Sequence, residues 1–373
     1  MSNRDGSNNT ASDFQALSRN SSGSDNTANG FQALFNNRDS FENSANGSGA
    51  LYHNTSGFFN TATGAAALSS NTTGVENTAM GTSALNANTG GNFNTAVGTK
   101  VLRDNTLGFF NTGVGASALR ATRGGFANTA VGGNALAFNP AGNFNTAVGA
   151  GALQGSFGGV GNTALGSDAG CAVTSGDNNI LIGNSGLNGE SNTIRIGTQV
   201  AGTNCDGDMV TAHANTYIAG ISGVTVPGGV QVIIDSTGHL GTIVSSKRFK
   251  ENVQPMDETS DAIFSLQPVT FRYKKELDPQ GIPQFGLVAE QVEKVASDLV
   301  ARDNQGKPYS VRYEAVNAML LNEFLKEHCH VQEQDAIITR QQRQIEALTV
   351  GLQKVSAQLE LTKSAPQTVL NNR

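Results

Sequence analysis

Asn94-Thr-Ala-Val-Gly-Thr-Lys-Val-Leu-Arg-Asp-Asn-Thr-Leu-Gly-Phe-Phe110 is one copy of a 17-residue unit whose register holds without a slip from Asn9 to Asn179. The anchoring asparagines are Asn9, Asn26, Asn43, Asn60, Asn77, Asn94, Asn111, Asn128, Asn145, Asn162 and Asn179. A fixed period over eleven copies is incompatible with one globular core. It describes a rod built by stacking one small coil on the next. Two residues past the anchor the chain carries Ala or Gly, as at Ala28, Ala96 and Gly113, and eight past it Leu, as at Leu34, Leu68 and Leu102. Four past the anchor stands glycine, as at Gly47, Gly64 and Gly81, where a positive φ or a close backbone approach asks for it. A second glycine turn falls at Gly57, Gly74, Gly91, Gly108, Gly125 and Gly142.

Two short extended segments and two turns in 17 residues predict one rung of a parallel β-roll or β-solenoid, each strand bonded to its equivalent in the next rung. Ala and Leu stack into a thin core, and the asparagines into an amide ladder that satisfies its own donors and acceptors. A helical solenoid is opposed by the density of Gly, Asn and Thr. The residue three past the anchor changes along the rod. It is Ser12, Asn29, Asn46 and Thr63, then Met80, Val97, Val114, Val131, Val148, Leu165 and Ile182. Two readings of this row stand: a face that meets another chain toward the C-terminal end, or an interior row whose first rungs are loose.

Composition divides the chain. Residues 1–240 hold 8 Lys/Arg and 13 Asp/Glu, and residues 241–373 hold 16 and 17. The net charge of −6 supplies no basic field for nucleic acid or an anionic membrane. No run of about 18 apolar residues predicts a membrane span. Cys171, Cys205 and Cys329 are odd in number and far apart, which predicts neither a disulfide framework nor a metal set. His328 and His330 alternate on a helix and do not face each other, so neither metal nor cofactor is expected. The start, Met1-Ser-Asn-Arg-Asp-Gly, lacks the apolar stretch of a secretory leader. Either the rod assembles in the cytoplasm, or residue 1 lies inside a longer protein.

After Asn179 the period breaks. Thr216–Ile221, Val224–Val226 and Val230–Ile234 alternate apolar residues, and Asp235-Ser-Thr-Gly238 signals a hairpin turn. From Val331 a heptad places Val331, Ile338, Ile345, Leu352 and Leu359 at one core position. Gln334, Gln341, Leu348, Val355 and Thr362 fill the other. A long helix over about 314–363 ending in a coiled coil is expected; the mixed core leaves its strand number open.

The repeats resemble the head repeats of trimeric autotransporter adhesins, in which an Asn/Ser-x-Ala-Ile/Val-Gly element builds a trimeric β-roll. Ser245-Ser-Lys-Arg-Phe-Lys-Glu-Asn-Val253 resembles the entry motif of the endosialidase-type intramolecular chaperones, the C-terminal domains of phage tailspikes and fibres. Gln284-Phe-Gly-Leu-Val-Ala-Glu-Gln-Val292, with Gly286, Glu290 and Gln291, and Tyr313-Glu-Ala-Val-Asn-Ala-Met-Leu-Leu321 resemble two further segments of that family. The resemblance implies a Ser/Lys pair, Ser245 and Lys250, with Arg248 in the motif, cutting the chain between Val244 and Ser245. Ser246 stands where the family has an acidic residue.

The sequence therefore predicts a mainly β chain with an α C-terminus. Its parts are a solenoid shaft over 1–190, a β-rich neck over 191–244, a chaperone and autoprotease domain over 245–330, a coiled coil over 331–363 and a disordered tail over 364–373. The expected assembly is a homotrimeric tail-fibre-like protein on a virion or cell surface, with a surface receptor or glycan as its external partner. Nucleic-acid binding and membrane insertion are not expected. The rival reading is a bacterial surface adhesin that keeps its C-terminal domain as a permanent trimer clamp.

Overall fold

The computed structural model describes residues 6–198, 201–219, 221 and 226–363. The predicted tail over 364–373 and the Val224–Thr225 part of the expected neck lie outside the described residues. The chain divides into two compact units, Met1–Gly223 and Val224–Arg373.

The first unit holds a parallel sheet of twelve three-residue strands, from Thr10–Ser12 to Ile194–Ile196, in sequence order. Register advances by 17 residues per strand, as in Thr95↔Thr112 and Ala96↔Gly113. The final step, Ile180↔Ile194, is shorter by three. This is the predicted β-solenoid. From Ala28 to Leu181 the middle residue of each strand points inward and is buried, as with Ala96 and Ala164. Across the coil it meets Leu34, Leu51, Leu68, Leu85, Leu102, Leu119, Leu136 and Leu153, none of them exposed. These leucines sit at φ of 49–53°, a left-handed conformation that costs roughly 1–2 kcal/mol in a non-glycine residue. Burying each leucine contributes about 1.5–3 kcal/mol and offsets it. Gly81 needs both freedoms expected of it: its φ is +141°, and a Cβ there would lie 2.4 Å from the Gly98 carbonyl oxygen.

The amide ladder is present and closed. Asn60 donates its backbone N–H and its Nδ2–H to Oδ1 of Asn43, at 3.0 and 3.1 Å, and its second Nδ2–H to the Gly74 carbonyl at 2.8 Å. Asn77 repeats the pattern on Asn60. A second buried ladder stands eleven residues past the anchors, where Asn71 Nδ2 donates to Asn54 Oδ1 at 2.8 Å and to Gly74 at 2.9 Å. The repeat pattern contains this second asparagine, but its spacing alone did not reveal that it points inward. Gly74 is tied to it, since a Cβ there would lie 2.3 Å from Asn71 Oδ1.

The row three past each anchor lies on the surface. Met80, Val131, Leu165 and Ile182 are exposed and Val97, Val114 and Val148 half-buried, so it is not an interior row. The structure also corrects the cysteine reading: Cys171 and Cys205 form a disulfide with Cα atoms 6.1 Å apart. Their separation of 34 residues looked long, but a coil with a short period returns the chain to nearly the same place every turn.

In the second unit, Val232–Ile234 and Leu240–Thr242 pair antiparallel around the predicted turn. The Asp235 carboxylate accepts from Thr237 Oγ1 and from the N–H groups of Thr237 and His239. The Thr237 hydroxyl first, then these backbone donors, hold its carboxyl below the usual range. Beyond Ser245 come a 3-10 turn at Lys247–Phe249, a 3-10 segment at Asp257–Ser265 and the antiparallel pair Val269–Phe271 with Gln284–Gly286. Helix α1 (Ala289–Val295), the pair Val300–Arg302 with Pro308–Val311, and helix α2 (Tyr313–Lys363) complete it. Val292, Leu299, Val300, Val311, Val316 and Met319 form its small core. Helix α2 is exposed from Phe324 to Thr362, so its heptad stripe is open to solvent in the single chain.

Candidate functional site

The Lys247–Phe249 turn is closed by Phe249 N–H to the Ser246 carbonyl and Lys250 N–H to the Lys247 carbonyl. That turn folds the segment back on itself, so that Lys250 Nζ donates to Ser245 Oγ at 3.3 Å. The spacing of five therefore brings hydroxyl and amine together. Both side chains face solvent, as does Val244 on the other side of the peptide bond. The Arg248 guanidinium lies 4.6 Å over the Phe249 ring, a cation–π contact that stiffens the turn.

The remaining motif residues occupy a different element. Gly286 ends a strand, and a Cβ there would lie 2.8 Å from the Tyr313 hydroxyl oxygen. That oxygen accepts the Leu287 N–H at 3.0 Å. Gly286 and Tyr313 thus form one joint between the strand and the start of α2. Glu290 and Gln291 sit exposed in the first turn of α1. They belong to the scaffold, and their side chains make no hydrogen bond to Ser245 or Lys250.

Sequence reading missed a second serine–lysine contact. Ser260 is fully buried, accepts from Asn322 Nδ2 at 2.7 Å and Lys326 Nζ at 3.3 Å, and donates to the Glu323 carboxylate. Lys326 also binds Asp261 at 2.8 Å and Glu323 at 2.6 Å. Hydrogen bonds to Asp261, then Glu323, raise its pKa, which fixes it as an ammonium with no lone pair to accept a proton. This cluster clamps the 3-10 segment to α2. Among the described residues Lys250 forms no salt bridge; its hydrogen-bond partner is the Ser245 hydroxyl. Asn322, Glu323 and Lys326 share one helix face, and that spacing was the available signal.

Residues 245–301 match the family model described as chaperone of endosialidase, and the match starts at Ser245 itself. The chain is thus a β-solenoid followed by a segment that matches the family model of the endosialidase chaperone. No curated protein and no solved structure matches the chain. Among the described residues, no helix is long and apolar enough to cross a membrane, and no group of three or more His, Cys, Asp or Glu side chains is arranged to hold a metal ion.

Proposed function

We propose that the chain is a tail-fibre-like structural protein whose C-terminal segment brings three copies together and then releases itself by cutting between Val244 and Ser245. The observation that carries the reading is the Lys250–Ser245 contact at the first residue of the family match. In the cut, Ser245 Oγ attacks the Val244 carbonyl carbon and its proton passes to Lys250. The C–N bond breaks, the new amine takes a proton, and an ester joins Val244 to the serine oxygen. Water hydrolyses that ester to the Val244 carboxylate and the free hydroxyl. A lysine serves as base only when burial or nearby cations favour its neutral form. Exposure of the pair in one chain therefore ties the chemistry to assembly, when a neighbouring copy encloses it.

Helix α2 supports the assembly step. A helix exposed over Phe324–Thr362 with an apolar heptad stripe is stabilised by pairing with copies of itself. The same exposure of Ser245 and Lys250 favours a second reading, in which the pair never becomes enclosed and the C-terminal segment stays as a permanent clamp. Intact mass of the wild type beside Ser245→Ala and Lys250→Ala separates the two. A fragment of residues 245–373 in the wild type alone supports release; uncut protein in all three supports the clamp.

A further inference from the structure

Three Asn-Gly dipeptides occur in the chain: Asn29-Gly30, Asn46-Gly47 and Asn188-Gly189. Such a pair can modify itself. The glycine nitrogen attacks the asparagine side-chain carbonyl carbon, its proton leaves with the departing ammonia, and a five-membered succinimide closes. Glycine suits the attack because it has no side chain to obstruct it. Water then opens the ring at one carbonyl to give aspartate, or at the other to give isoaspartate. One water is consumed and one ammonia released, and the residue gains one mass unit.

The rod holds two of the three pairs shut. Gly30 donates its N–H to the Ser12 carbonyl at 3.2 Å, and Gly47 donates to the Asn29 carbonyl at 2.8 Å. Their φ angles are +134° and +139°, and the next rung's backbone lies 2.7 and 2.6 Å from where a Cβ would stand. Neither nitrogen reaches its asparagine side chain unless the sheet opens locally.

Asn188-Gly189 stands where the rod ends, in the turn Leu187–Glu190. Glu190 N–H returns to the Leu187 carbonyl at 3.4 Å, and Gly189 takes the φ of +75° that the third position of a turn asks for. Both residues are exposed. Among the described residues the Gly189 N–H has no acceptor, so its nitrogen is not tied into a ladder. The Thr174 hydroxyl donates to Asn188 Oδ1. That oxygen takes up negative charge as the ring closes, so a donor already sits where the charge develops.

We propose that Asn188 is a self-modification site, converting to aspartate and isoaspartate with help from Thr174 while Asn29 and Asn46 are preserved. Its position gives the change a consequence. The Glu190 carbonyl accepts Asn179 Nδ2 at 2.8 Å, at the last anchor of the amide ladder. The Glu190 carboxylate holds the Leu187 N–H and Arg195 Nε, each at 2.8 Å. Isoaspartate lengthens the main chain of this turn by one carbon, and aspartate adds a like charge beside Glu190. Either product loosens the closure of the final rung.

The test stores the full chain and its Thr174→Val variant in mildly alkaline buffer, native and unfolded in denaturant. Peptide mapping by mass follows the three dipeptides. In the native wild type, residue 188 is expected to convert at least tenfold faster than residues 29 and 46, with the gap closing in denaturant. Thr174→Val is expected to slow residue 188 several-fold in the native chain and to leave the unfolded rate unchanged. Native conversion spread evenly over the three pairs, or lacking at residue 188, overturns the site. Equal native rates with and without the Thr174 hydroxyl overturn its assistance. Stored protein is also expected to exchange amide hydrogens faster than fresh protein at Ile194–Ile196, and unchanged exchange there overturns the loosening.

Discussion

Val101 and Gly113 are a matched pair of departures from the repeat. Where other rungs carry Ala seven past the anchor, this rung carries Val101, fully buried. The next rung answers with Gly113 in place of the usual Ala, and a Cβ there would lie 2.5 Å from Val101 Cγ1. Gly113→Ala alone is expected to overpack the core and cost about 1–3 kcal/mol. In the double variant Val101→Ala/Gly113→Ala most of that cost disappears, with a coupling of about 1–3 kcal/mol in denaturant melts. Additive effects would show that the backbone absorbs the clash. The second ladder offers a gain. Thr122 interrupts it and leaves both Asn105 Oδ1 and its own Oγ1 buried without partners. Thr122→Asn restores a donor toward Asn105 Oδ1 and an acceptor for Asn139 Nδ2 and is expected to raise stability by about 1–3 kcal/mol; an unchanged midpoint would mean that water already fills the gap. Asp168 is 4% exposed, bonded through Oδ2 to Asn204. Burial first, then the charges of Asp206 and Asp208, raise its pKa. A raised carboxyl weakens the fold above its folded pKa, and the penalty vanishes below the unfolded value. Asp168→Asn is therefore expected to melt higher than wild type at neutral pH, with the difference closing as pH falls through the carboxylate range. A gap that persists in acid would assign it to packing instead.

At the scale of the element, the rung was legible because its determinants are local and repeated. The 17-residue period, the Leu and the two glycines each recur at a fixed place, so eleven copies vote on one conformation. The hairpin at Asp235 and the long helix ending at Lys363 were legible for the same reason, a turn signal and a heptad. That the second asparagine row also points inward was not legible, because only packing distinguishes a buried amide from an exposed one. The Ser260 clamp was not legible, since it joins residues more than sixty apart with no shared period. The disulfide was hidden for a related reason, as coil geometry and not sequence distance decides which cysteines meet. Cys171–Cys205 ties the last full rung to the segment after it, and closing a loop of 34 residues is worth about 4 kcal/mol in the chain-entropy account. With Cys171→Ser, native-state hydrogen exchange is expected to speed up first at Ile180–Ile182 and Ile194–Ile196, because a solenoid opens from its ends. Uniform acceleration along all rungs would show instead that the rod opens as one unit.

For the whole molecule, the two units have opposite folding logic. Each rung of the rod pairs with its neighbours in the same chain, so one chain can form the coil by itself. On the proposed reading, helix α2 pairs through local contacts and forms fast, whereas matching rods along their full length needs three chains held in register. A slip by one rung changes no local contact, because consecutive rungs differ little; it only leaves the ends unmatched. A helix anchored at one fixed point removes that ambiguity, and this is what the C-terminal segment contributes on the proposed reading. On the same reading, cutting the segment away removes the helical register mark from the assembled rod. The cut wild type is therefore expected to keep its native melting behaviour yet fail to recover after full denaturation, while uncut Ser245→Ala regains oligomers on dilution. The measurement is the recovered oligomer fraction by size-exclusion chromatography, with a several-fold deficit for the cut protein. Equal recovery would mean that the rods carry their own register, and the gradient from Asn29 to Ile182 along the strand face would then be the feature that supplies it.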